Sequence, residues 1–374
     1  MATAKPTKTR VAPGDKVTGA DLRGTERRWR RFGEPKPAGS AVREDGSLDY
    51  GLFGPGSVVW ELVLHPSTIF FHHAAQQLSQ DVYKPIKAGI RDGEPIVRKA
   101  VKGEFTIFDA FERLQRGAAM HLPMWLGDTE TAERMAAHLH KIHSHVAGDV
   151  IDSAAPELGG YLASSPRESL WAGITELHPM LRAYESFAFQ GLFGAPRRLP
   201  DDVRDQFARE MGAYLRLHGA PEDEIPSTMQ ELSALYAKYD DLFGHTSTLS
   251  IRPEDGQDYE VLLRESSKKN INGSHVKVLL IFGLTTGLLG KPVLGALPSK
   301  TRQGHGLDEK ASRRALRARV TIRPLAWLLQ RGPIERYFMR LLWGEDGVML
   351  ITSARELHKK VLDERRRRGE PRFG

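Results

Sequence analysis

Residues Gly127–Gly148 read Gly-Asp-Thr-Glu-Thr-Ala-Glu-Arg-Met-Ala-Ala-His-Leu-His-Lys-Ile-His-Ser-His-Val-Ala-Gly. Asp128 or Thr129 offers a capping side chain, Glu130 and Glu133 suit the positive end of a helix dipole, and Gly148 suits its stop. At about 100° per residue, Ala132, Ala136, Leu139 and Val146 fall within about 60° of His143. The stretch therefore predicts an amphipathic helix with a titratable imidazole in its apolar stripe. Such a group needs a reason to be there.

His138, His140, His143 and His145 crowd this helix, yet a wheel separates them. His138 and His145 point roughly opposite His143, beside Arg134 and Lys141 on the solvated face. Only His140, one turn before His143, can share a site with it. A structural zinc site would need further ligands from elsewhere in the fold. Taken alone, an inward histidine is more often a hydrogen-bonded core residue than a ligand.

The chain around it has 374 residues, 40% hydrophobic and 27% charged, enough for a substantial core. It contains no cysteine. That excludes disulfides, a thiolate nucleophile, an iron–sulfur cluster and thiolate-ligated haem. The net charge of +7 is uneven: residues 1–37 hold ten Lys or Arg against four acids, including Arg27–Arg31, and Arg365–Arg368 close the chain. Without interleaved aromatics these read as solvated tails, and no specific nucleic-acid partner is expected. No apolar leader follows the first arginines, so a cytoplasmic location is expected. The uninterrupted apolar run Val278–Gly290 is only 13 residues long, too short to span a bilayer. It reads as a buried segment or a patch in peripheral contact with a membrane.

The periodicity predicts an all-α class. Residues 1–45 read as a basic arm, disordered or wrapped on the surface; 46–345 as the helical domain, less regular near 244–318; and 346–374 as a charged C-terminal helix and tail. The apolar set from Trp60 to Val82, with Phe70 and Phe71, reads as core. Thr106–His121 is a helix with Thr106 and Asp109 as a capping box, ending before Pro123. Ser165–Phe193 is mostly helical, interrupted near Pro179. Further helices start at Asp201 or Asp202, at Ser227 and at Lys310. Glu210 reads as a structural hydrogen-bonding group. No Gly-rich phosphate loop, Ser-His-Asp order or HExxH motif occurs, leaving nucleotide and hydrolase chemistry unsupported.

The stretch from Gly54 to Phe243 carries an ordered set: Arg113-Leu114-Gln115-Arg116, Leu126-Gly127, His143-Ser144-His145-Val146-Ala147-Gly148, Tyr161-Leu162-Ala163 and Leu170-Trp171-Ala172. Glu185, Glu210, Gly219 and Pro226 follow in order. This set resembles the catalytic domain shared by latex-clearing proteins (rubber oxygenases) and MpaB-type oxygenases. The resemblance implies a globin-like helical bundle around a buried haem b pocket, with His143 as the iron ligand. It also implies O2 and an apolar, terpenoid-like or lipid-like substrate as partners, with oxidation or cleavage of a carbon–carbon double bond.

The chain departs from the family pattern at several positions. Gly117 replaces a threonine, Gly173 replaces a histidine after the tryptophan, and the expected Gln-x-Ala-His-Pro reads His72-His73-Ala74-Ala75-Gln76. Arg116 stands where rubber oxygenases place a lysine able to occupy the distal side of the iron. A guanidinium stays protonated and is poorly suited to ligation. Arg113 and Arg116 are instead candidates for holding haem propionates or for facing water. Arg113, Arg116 and His121 are the candidate catalytic groups around bound oxygen; His143, Arg113, Arg116 and His140 are the candidate cofactor-binding set. Glu104, Glu112 and Glu185 are the acids from which a base would come. The alternative is a non-catalytic binder of haem or another apolar ligand on the same bundle. A third reading is a metal-free helical protein that uses its basic ends.

Overall fold

A computed structural model describes residues 11–23, 33–191, 194–246 and 257–373, and the described chain is all-α, as expected. The N-terminal part holds α1 (Gly19–Arg23), α2 (Val58–Val63), α3 (Pro66–Gln80), α4 (Lys84–Gly93) and α5 (Pro95–Val101). The next four helices are α6 (Ile107–Leu126), α7 (Thr129–His143), α8 (Pro166–Phe187) and α9 (Asp201–Leu217). After α10 (Met229–Lys238) and α11 (Tyr259–Lys269) come α12 (Val276–Phe282), a π-helical segment Gly283–Leu288 and α13 (Gly290–Ala296). The chain closes with α14 (Ser299–Gly304), α15 (Glu309–Thr321), α16 (Arg323–Leu329) and α17 (Gly332–Arg368). Two short antiparallel pairs, β1 (Ala41–Val42) with β2 (Leu48–Asp49) and β3 (Ala147–Gly148) with β4 (Tyr161–Leu162), pin loops.

The centre is α8 packed along α3. α8 is buried on nearly every face, including Leu170, Trp171, Ile174, Leu177 and Leu181. It continues through Pro179, and α6 continues through Pro123, so neither proline ends its helix. An interior proline costs about 3 kcal/mol locally. Burial of a single large apolar side chain recovers about 2 kcal/mol, and both helices bury many. Tertiary packing therefore outweighs the breaker.

The capping box at Thr106 and Asp109 is present at the start of α6. Beyond it, Gln115 Nε2 donates to the carbonyls of Leu22 (2.6 Å) and Leu341 (2.7 Å), tying α6 to the N-terminal arm and to α17. The described part of that arm is held against the domain, with Val11 and Leu22 buried. Arg27–Arg31 lie outside the described residues. α17 is broken at Gly344 (φ 73°, ψ −170°), a backbone conformation that favours glycine. The break lets Trp343 Nε1 donate to Ala118 O at 3.1 Å.

Helix α7 stops at His143, short of the predicted Gly148. Asp128 caps its start, as expected, accepting from Thr131 N. After Ser144 the chain enters β3, and Val146 leaves the stripe for α4. There it lies so close to Gly93 that a Cβ on that glycine would sit 2.9 Å from Val146 Cγ1. Docking of Val146 beside Ala88, Ile151 and Tyr161 ends the helix.

Glu210 is structural, as its position suggested. From α9 its carboxylate accepts the Val58 N–H at 3.1 Å and the Val59 N–H at 2.9 Å, satisfying two donors at the open end of α2. Glu210→Ala should therefore cost about 2 kcal/mol of stability. Urea unfolding measures this; a variant within experimental error of the wild type would show that the two bonds contribute nothing.

Candidate functional site

Five helices converge on one histidine-rich region. α6 brings Arg113, Arg116 and His121; α7 brings His140 and His143; α8 brings Gly173 and Glu176; α9 brings Tyr214 and His218; α3 brings His72 and His73. His121 is the common neighbour: His72, His73, His143 and His218 each lie within electrostatic range of it.

His143 sits half-buried in the last turn of α7, on the same face as the buried Ala132, Ala136 and Leu139. Burial first, then the neighbouring His121, His140 and Arg113, lower its pKa to about 4. At neutral pH it is an uncharged imidazole, the form that ligates iron. His140, one turn back, is exposed.

His121 is held from two sides. Its Nδ1 lies 2.7 Å from Glu176 Oε1 and 3.1 Å from Tyr214 Oη, while Tyr214 Oη donates to Glu176 Oε2 at 2.7 Å. Glu176 is buried, so these two groups are its polar surroundings. His218 packs against the Tyr214 ring with centroids 4.3 Å apart, and burial lowers its pKa to about 4.

Several buried polar atoms here have no hydrogen-bond partner among the described residues: both ring nitrogens of His72, Nε2 of His73, Nε2 of His218 and Oε1 of Glu176; Nε of Arg116, on α6, is likewise unpartnered. Orphaned buried donors and acceptors are costly, so each calls for a reason. Among the described residues no three His, Asp or Glu side chains are arranged to hold a metal ion.

The candidate arginines differ. Arg116 is half-buried, whereas Arg113 is exposed and its Nε pairs with Glu94 Oε2 at 3.0 Å. The three acids proposed as bases stand elsewhere or are engaged. Glu104 is exposed. Glu112 is half-buried on α6. Glu185 pairs with Arg204 (3.0 Å) and Arg182 (3.4 Å) and accepts the Leu199 N–H at 3.1 Å, a structural role. The carboxylate that does reach His121 is Glu176, which the sequence reading missed. Tyr214 on α9, and His218 just past its end, were not read as site residues either, because their neighbours lie on α6 and α8.

Two glycine departures have different surroundings. A Cβ at Gly173 would meet Leu215 Cδ2 at 2.6 Å, so α9 occupies the space a larger side chain would need. At Gly117 the first neighbour is the Arg113 guanidinium at 3.3 Å, a mobile end that can give. A His-Pro pair does open α3: His65 caps the helix, its Nδ1 accepting from Ser67 N at 3.1 Å, and Pro66 is the first helical residue. It stands upstream of the His72–Gln76 stretch where the sequence comparison sought it.

No curated protein and no solved structure matches the chain. A family model does, over residues 60–331, more than half the chain, under the description "ER-bound oxygenase mpaB/B'/Rubber oxygenase, catalytic domain". With that span covering the histidine-rich helices, the chain belongs to the mpaB and rubber oxygenase catalytic-domain family.

Proposed function

We propose that this chain is a haem b-dependent oxygenase in which His143 ligates the iron and an apolar, unsaturated substrate reacts with O2 at a carbon–carbon double bond. The observation that carries this reading is His143 itself. It is an imidazole kept neutral by burial, on the inner face of α7, beside His121 and the Arg113 guanidinium. The orphaned Arg116 Nε and ring nitrogens nearby supply the polar contacts that a haem and bound oxygen would use.

In this reading the helical domain of residues 46–345 houses the pocket. Bound haem would supply the oxygen-activating iron, which a neutral His143 would hold in place of an electron-donating thiolate. Arg113 and Arg116 present guanidinium forks suited to carboxylates and would hold the propionates. His121 Nδ1 is turned toward Glu176 and Tyr214, which leaves Nε2 as the nitrogen able to face a ligand. Tyr214 fixes the other carboxylate oxygen, so the imidazole orientation is set before substrate arrives. The buried Trp125 beside His72 and His121 contributes an apolar wall that excludes water.

Purified protein loaded with haem should show a Soret band. His143→Ala should lose it with the helical circular dichroism unchanged, whereas Glu176→Gln should retain it. Protein that takes up no haem overturns the proposal. Oxygen uptake with a panel of unsaturated terpenoids and lipids then separates an oxygenase from a non-catalytic haem binder. The binder is the second reading, favoured by the missing histidine at Gly173.

A further inference from the structure

The apolar run expected to be buried or membrane-facing divides between the two. On α12, Val278 is buried with Phe108, Phe111 and Leu341, and Ile281 and Phe282 pack against the same cluster. The other side points outward. Leu280 is 68% exposed, Val276 53%, Leu288 46% and Leu279 38%. Single exposed aliphatics are ordinary on a soluble surface, but a group of them on one short helical segment is not.

The charge along this segment is one-sided. From Ser266 to Leu307 the sequence contains no Asp or Glu, while Lys268, Lys269, Lys277, Lys291, Lys300 and Arg302 all fall within it. Lys268 and Lys300 are paired with Glu265 and Asp240. Lys277 and Lys291, which bracket the apolar face, are exposed and form no ion pair among the described residues. Protein interfaces draw their binding energy mainly from Trp, Tyr and Arg; the outward side chains here are aliphatic and flanked by lysine. That composition matches hydrocarbon beneath anionic headgroups.

No described helix is long and apolar enough to cross a membrane, so contact would be confined to one leaflet. We propose that the face formed by Val276, Leu279, Leu280 and Leu288, flanked by Lys277 and Lys291, rests on the surface of an anionic lipid membrane. α12 packs on the N-terminal half of α6, the helix that carries Arg113, Arg116 and His121 further along. Docking there would place the histidine-rich region near the phase in which apolar molecules dissolve. The proposal does not depend on haem or on oxygenase activity.

The test uses the full chain and vesicles of phosphatidylcholine with or without phosphatidylserine. The wild type should co-sediment with the phosphatidylserine vesicles, less so at high salt. Leu280→Asp should weaken binding about tenfold or more, and Lys277→Ala about fivefold. Both positions are exposed, and circular dichroism and the melting midpoint check that each variant folds. Failure of the wild type to bind either vesicle overturns the proposal, as does binding unchanged in both variants. A concentration-dependent dimer that Leu280→Asp dissociates, without vesicle binding, would overturn it in favour of a second copy of the chain. His143→Ala should bind vesicles as the wild type does, which keeps this result separate from that of the haem experiment.

Discussion

As pH falls from 6.5 toward 4, the ligand-free chain should lose stability at about 8 kcal/mol per pH unit. Six histidines carry the effect, His143 and His218 among them, both lowered to about 4. His65 and His73 are lowered to about 4, His178 to about 3 and His72 well below its ordinary value. Desolvation is the largest cause in every case: each ring sits where a positive charge would be cut off from water. His72 is the extreme, with both ring nitrogens buried and unpartnered among the described residues. In the unfolded chain these rings take up protons near pH 6.5, whereas in the folded chain they resist until about pH 4 or lower. Stability from a lowered pKa is thus complete above 6.5 and drains as pH falls through the window. Each ring contributes about 1.4 kcal/mol per pH unit there. Asp49 and Glu61, both lowered to about 2, lose their contribution only at more acid pH.

A domain with about 5–15 kcal/mol of stability should therefore unfold inside the histidine window rather than below it. Urea melts stepped through the window give the slope directly. His72→Leu should flatten it by about 1.4 kcal/mol per pH unit, because one proton-binding site of the unfolded state is gone. Stability that stays level across the window would mean that these rings are protonated or hydrated in the folded chain.

Features built from neighbouring residues were legible in the sequence; features assembled across helices were not. The Thr106–Asp109 box and the Asp128 cap lie within one turn, and both are present. The inward place of His143 followed from the spacing of Ala132, Ala136 and Leu139, all buried as predicted. The end of its helix did not, because the cause is the fit of Val146 against Gly89 and Gly93 on α4. Pro123 and Pro179 misled for a related reason. Local rules weigh a proline by the backbone bond it removes, while α6 and α8 are held by burial on several sides. His121 was found as a candidate, but its partners Glu176 and Tyr214 come from two other helices, and no spacing in one dimension joins the three.

Gly173 offers the sharpest test of how those helices come together. Restoring the family's histidine, Gly173→His, should cost about 3 kcal/mol or more. The Cβ alone would stand 2.6 Å from Leu215 Cδ2 and 3.5 Å from Tyr214 Cδ1, and Leu215 is fully buried with no room to retreat. Even Gly173→Ala should be destabilising, although alanine gains about 1 kcal/mol over glycine in an open helix. Leu215→Ala alone should cost about 2–5 kcal/mol through the cavity it leaves. In the double variant the imidazole can use that space, so the penalty should fall below the sum by about 1 kcal/mol or more. Urea unfolding of the wild type, both single variants and the double variant closes the cycle; strict additivity would show that the two positions do not press on each other. Non-additivity would tie the family departure to the site. By giving up a side chain at Gly173, α8 lets α9 approach closely enough for Tyr214 to reach Glu176, and Glu176 in turn holds His121.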